Sequence, residues 1–147
     1  MIKVQKYLTV LVRLLLAVVF IYAAVDKVLH PQQFRTIVEN YQIFPALLSH
    51  YVAMFLPWFE IVCGLFLLIG VYIKTSAELL SGLMLFFIAA LISVLIRGLD
   101  INCGCFTLSA EGSVVSVFKI FEDFLLLGML LGLVFFNKPF FAKQDFD

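Results

Sequence analysis

Charge is scarce in this sequence. Asp, Glu, Lys and Arg together make up 14% of its 147 residues, against about a quarter in ordinary soluble domains. Ten basic residues balance ten acidic ones and no basic run stands out, which argues against a nucleic-acid-binding surface. Cysteine is scarce too. Three thiols cannot staple a small secreted scaffold, and this chain alone cannot build a four-cysteine zinc or iron–sulfur centre. What fills the space is apolar: 64% hydrophobic residues, 17 of them Phe, with a mean hydropathy of +1.12. A soluble domain of this size cannot hide that much apolar surface in one core, and a disordered chain would not carry it. The composition is that of an integral membrane protein whose first partner is the lipid bilayer.

A membrane helix needs about 20 mostly apolar residues. Stretches at 7–25, 51–72, 77–96 and 115–136 meet that length. They are continuous rather than alternating, so strands are not expected. The expected fold is all-α: a single domain over 1–147, built as an integral membrane four-helix bundle with four transmembrane helices and a short interfacial helix. Lys3 and Lys6, an apolar run and then Ala23-Ala24 also fit a signal peptide, but Arg13 interrupts the run, and the segment is read as a retained span.

Lys and Arg in short loops set orientation. Lys3, Lys6, Lys74, Lys138 and Lys143 fall on one side, and Lys27, Arg35 and Arg97 on the other. Both termini are therefore expected in the cytoplasm, in a bacterial inner membrane, with 26–50 and 97–113 facing the periplasm. The first outward loop holds Pro31 followed by Phe34, Ile37, Val38 and Tyr41, the spacing of a short amphipathic helix at the membrane surface. The connection at Lys74 is short enough to make the second and third spans a hairpin.

The second outward loop reads Asn102-Cys103-Gly104-Cys105-Phe106. Two thiols one glycine apart can close a tight, strained disulfide, and strained, accessible disulfides are the exchangeable ones. The same pair can sit as unpaired structural cysteines, or as two thiolates on Cu(I).

Ionisable groups inside a membrane mark a site or a pair. Arg13 in the first span and Glu60 in the second fall at depths that one long side chain bridges, so a buried Arg13–Glu60 pair is expected, with snorkelling of Arg13 as the alternative. Cys63 shares the helical face of Glu60, roughly 18 Å below the outer surface, and is expected to be buried and inert. Lys119, Glu122 and Asp123 open the fourth span at the level where Asp26 and Lys27 close the first. These charges either tune a nearby thiol or satisfy one another as helix-end ion pairs.

Several pieces of the chain, in order, resemble the MauE/DoxX group of small bacterial membrane proteins, and most closely its MauE-like, redox-associated branch. The first span with Arg13 and its end at Tyr22-Ala23-Ala24-Val25-Asp26-Lys27 is similar to the family's first helix. His30-Pro31 through Phe34 and Tyr41-Gln42-Ile43-Phe44-Pro45 resemble its surface segment, and Leu56-Pro57-Trp58-Phe59-Glu60 with Gly64 its second helix. Asn102-Cys103-Gly104-Cys105-Phe106 resembles the branch's cysteine motif. The resemblance implies a part in the redox maturation of proteins outside the cytoplasmic membrane, in methylamine utilisation, with a periplasmic thioredoxin-like partner. DoxX relatives keep quinone in view as a carrier.

The leading functional reading is a thiol–disulfide relay, a membrane oxidoreductase with no metal. Cys103 and Cys105 exchange, Lys27, Arg97 or Lys119 supplies a cation that favours the thiolate, and Phe86, Phe87, Phe121 and Phe124 wall a space for an apolar ring. Arg13, Asp26, Glu60, Glu122 and Asp123 are supporting charges. The second reading is a Cu(I)-binding or transport protein on the same cysteines, with His30 and His50 in the other outward loop. The third is a non-catalytic assembly subunit or homo-oligomer, in which Gly64, Gly70, Gly82, Gly128 and Gly132 let helices approach closely.

Overall fold

Without water to satisfy it, a backbone in lipid must bond to itself, and a continuous apolar run does so as a helix. The computed structural model describes residues 2–98 and 117–136, leaving aside the side chains of Ile2, Val117 and Lys119. Among these residues the chain forms five helices: α1 (Ile2–Leu29), α2 (Pro31–Asn40), α3 (Ala46–Ile69), α4 (Ile73–Ile96) and α5 (Val117–Phe136).

The helix ends follow local chemistry. α1 is longer than its apolar run because nothing breaks it before Pro31, which disfavours helix in the residue ahead of it and opens α2. Pro45 precedes α3. Gly70 ends α3 in the left-handed region at φ 87°, its amide and that of Val71 both donating to the Phe66 carbonyl at 2.9 and 3.1 Å. α4 then starts at Ile73, so α3 and α4 form the expected hairpin. Inside α3, Pro57 supplies no N–H to the Ala53 carbonyl.

α1, α3 and α4 are each long and apolar enough to cross a membrane. α5 has 20 residues but carries Lys119, Glu122 and Asp123 in its first two turns. α1 packs against α3, α3 against α4, α4 against α5 and α5 against α1. The shared core includes Leu16, Leu67, Leu80 and Leu130, all fully buried. Outward-facing positions such as Leu11, Phe55, Leu65 and Leu125 are apolar and exposed, the inverse of a soluble surface. The amphipathic reading of α2 holds. Phe34 and Val38 are buried against Ala53 of α3, and Tyr41, just past the helix, packs on Ala90, Leu91 and Val94 of α4.

Of the glycines expected at helix contacts, Gly64 is one: a β-carbon there would lie 2.8 Å from Cγ1 of Ile21. Among the described residues, nothing lies within 4 Å of where a β-carbon would sit at Gly82, Gly128 or Gly132. At Gly70 a β-carbon would lie 2.6 Å from Nη1 of Arg13, so the guanidinium rests on the end of α3, where the helix dipole is negative. Gly64→Val is expected to lower the stability of the purified protein by about 1–3 kcal/mol through overpacking, while Gly128→Ala leaves it unchanged. Thermal unfolding in detergent measures both, and equal midpoints would refute the tight α1–α3 contact.

Candidate functional site

One face of α1 carries Ala17, Phe20, Ala23, Ala24 and then Lys27, all buried. The spacing of three and four turns the lysine into the protein with its apolar neighbours rather than out to water. Lys27 Nζ donates to Glu60 Oε2 at 2.9 Å and Oε1 at 3.1 Å. Both residues are 2% exposed. The ammonium also lies 5.3 Å from the ring centre of Phe34 on α2 and 5.4 Å from that of Phe87 on α4, within cation–π range. A single amine is thus engaged by three other helices. Taking these two charges from water carries a large desolvation penalty, which the close two-oxygen contact offsets only while both partners are present.

Asp123 brings a second carboxyl to the same place from α5 and is 1% exposed. With Phe20, Ala23, Lys27, Glu60, Met84 and Phe87 it lines a small cleft of about 10 Å³, the room of about one water. Its charge also reaches Tyr41, whose hydroxyl pKa is pushed well above the usual phenol range, by burial first and by Asp123 second. The backbone around Tyr41 is held from α4. Arg97, the residue that caps α4, donates to the Tyr41 carbonyl at 3.3 Å and to Gln42 Oε1 at 3.0 Å. Gln42 itself takes a left-handed backbone, φ 50°.

This arrangement corrects one expectation. Glu60 pairs with Lys27, not with Arg13. α1 and α3 run antiparallel, with Ile21 against Gly64 and Arg13 against Gly70, so Arg13 lies about ten residues of α3, roughly 15 Å, from Glu60. Depths counted from hydropathy-defined span ends misplaced both residues, because α1 runs on through Lys27 to Leu29 and α3 already begins at Ala46, beyond their apolar runs. Asp26 and Glu122 are half-buried. Cys63 is a free, buried cysteine as expected. Phe87 reaches the cleft, whereas Phe121 and Phe124 are exposed and Phe86 stacks on Phe44 at 5.9 Å. The cleft is too small for a quinone ring. Cys103, Cys105 and the side chain of Lys119 lie outside the described residues.

Sequence reasoning placed Lys27 and Asp123 at one level but missed Glu60 as their neighbour. The signal was present: Gly64 one turn beyond Glu60 marks where α3 can meet α1 closely. Lys27→Met is expected to cost about 3–5 kcal/mol of stability by leaving Glu60 uncompensated, and the double variant with Glu60→Met to recover most of it. Unfolding midpoints of the four proteins in this cycle measure the coupling; strictly additive losses would mean that the two side chains do not interact.

Comparison with known proteins supplies the family. No solved structure matches the chain significantly. The model for methylamine utilisation protein MauE matches residues 5–136. The methylamine utilization protein MauE of Paracoccus denitrificans is 36% identical over 95 residues, covering 64% of this chain and 51% of the relative. That of Methylophilus methylotrophus is 30% identical over 119 residues, covering 80% and 63%, and that of Methylorubrum extorquens 35% over 103 residues, covering 69% and 55%. The chain thus spans between about half and just under two-thirds of the length of these relatives. With the match running from near the start of α1 to the end of α5, this chain belongs to the MauE family.

Proposed function

We propose that this chain is a multi-pass inner-membrane protein of methylamine utilisation that acts as a thiol–disulfide relay, with Cys103 and Cys105 as the exchanging pair. The observation that carries the reading is the Lys27–Glu60 pair with Asp123 beside it, all buried. Ionisable groups are expensive inside a membrane and are kept there for use. The cysteine segment is tethered to described chain by Gly98, just past α4, and Val117, at the start of α5. Asp123 lies only two turns into α5, and Arg97 stands next to Gly98. The family match supports the methylamine-utilisation part of this reading, since that is what the relatives' name refers to.

In this reading 1–147 is one domain and α5 is a fourth span, with its first two turns at the outer end of the bundle. Both termini are cytoplasmic, as the Lys and Arg distribution favours, and the cysteines face the periplasm, where disulfides persist. A thiolate of the pair attacks a disulfide sulfur of a thioredoxin-like partner. A mixed disulfide forms and one partner thiolate leaves. The second cysteine then attacks the first, closing the Cys103–Cys105 bond and releasing the partner as a dithiol. Two electrons have passed to the partner, and every step is reversible. Lys27 is committed to Glu60, so Arg97 and Lys119, flanking the pair in sequence, are the cations that favour the thiolate.

Replacing one cysteine with serine is expected to trap a mixed disulfide with the partner, visible on a non-reducing gel. Replacing both is expected to remove that adduct and to abolish maturation of the periplasmic substrate. An unchanged partner redox state and normal maturation in the double variant would overturn the relay.

A further inference from the structure

Lys27 borders two spaces. On one side lies the cleft it shares with Glu60 and Asp123. On the other lies a groove of about 320 Å³ between α1, α2 and α3, lined among others by Arg35, His50, Ala53, Pro57 and Trp58. The groove opens at the end of the bundle that carries α2, where its rim residues Pro31, Gln32 and His50 are exposed. Its walls suit water. Arg35 uses Nε for Glu39 at 2.8 Å, and its terminal nitrogens are further donors. The carbonyl that Pro57 leaves without a helical donor belongs to Ala53, another lining residue, and such freed carbonyls in membrane helices are commonly met by ordered water. Lys27 therefore stands as the partition between a space that admits water and a pair of buried acids.

We infer that this groove is the route by which protons reach Glu60 and Asp123 from the membrane surface, with the Lys27 amine as the gate. The transfer balances in three moves. The Lys27 ammonium gives its proton to Glu60 along the 2.9 Å contact, leaving a neutral amine and a neutral acid. The amine takes an excess proton from groove water and is an ammonium again. Glu60 passes its proton to Asp123 through one water in the cleft, whose volume of about 10 Å³ admits about one such molecule. The net change is one proton moved from the groove to Asp123. Among the described residues the titratable groups facing this path are Lys27 on α1, Arg35 on α2, His50, Glu60 and its neighbour Cys63 on α3, and Asp123 on α5. α4 contributes Met84 and Phe87, which do not titrate. Tyr41 adjoins Asp123 at the inner end. The inference stands apart from the thiol relay, since it needs neither cysteine.

The test uses the purified full chain in lipid vesicles and infrared difference spectroscopy after a downward pH jump. A protonated-carboxyl band is expected to grow, to shift in heavy water, to lose intensity in Asp123→Asn and to rise more slowly in Glu60→Gln. Filling the groove with Ala53→Phe, or its mouth with Met54→Trp, is expected to slow the rise of the band at least tenfold while its final amplitude stays. The second substitution lies at an exposed position and keeps the test usable if the first fails to fold. A rise as fast as wild type in a folded groove-filled variant would overturn the route, as would a wild-type chain in which no carboxyl band responds to pH. The Cys103→Ser/Cys105→Ser variant is expected to show the wild-type infrared response, so the relay and the proton route fail independently.

Discussion

A charge placed in a low-dielectric interior has one cheap solution, which is an opposite charge in contact with it. Lys27 and Glu60 are that solution, and the surrounding architecture is organised by it. The ammonium draws Phe34 of α2 over it and Phe87 of α4 beside it, so a surface helix and a core helix are fitted around one amine. Neither residue is separately tolerable at 2% exposure; each makes the burial of the other possible. Asp123 brings a second acid from another helix to the same small cleft, so three ionisable groups from α1, α3 and α5 share one buried place.

Much of the fold was legible from hydropathy and periodicity alone, since lipid leaves the backbone so few options. The apolar runs marked the long helices, the spacing of Phe34, Val38 and Tyr41 marked α2, and the position of Cys63 marked a buried thiol. The limits of the helices were less legible. Hydropathy ends a span at its first charges, whereas α1 runs on through Asp26 and Lys27 until Pro31 breaks it, and α3 starts before its apolar run. Those shifted ends misassigned the partner of Glu60. The phenylalanines failed for the opposite reason. A ring suits lipid as well as it suits a cavity, so composition alone could not tell Phe87 from Phe121 and Phe124.

The site was legible in its membership but not in its pairing. Lys27, Glu60 and Asp123 were each singled out by being ionisable in an apolar setting, which needs no structure to see. Their meeting depends on the rotation of three helices about their axes, and that rotation is fixed by contacts such as Ile21 against Gly64, which no single helix encodes. Arg97 is a further instance. Its role in holding the turn at Tyr41 and Gln42 spans more than fifty residues of sequence and has no local signature.

Arg13 resting on Gly70, taken with Lys27 on Glu60, has a mechanical consequence. α1 and α3 are riveted at two points far apart along their shared length. Two rivets forbid sliding of one rod along the other and forbid a scissoring rotation about either point. The pair is a stiff beam, and among the described helices the freedom to slide or rotate falls to the seams where α2, α4 and α5 meet that beam.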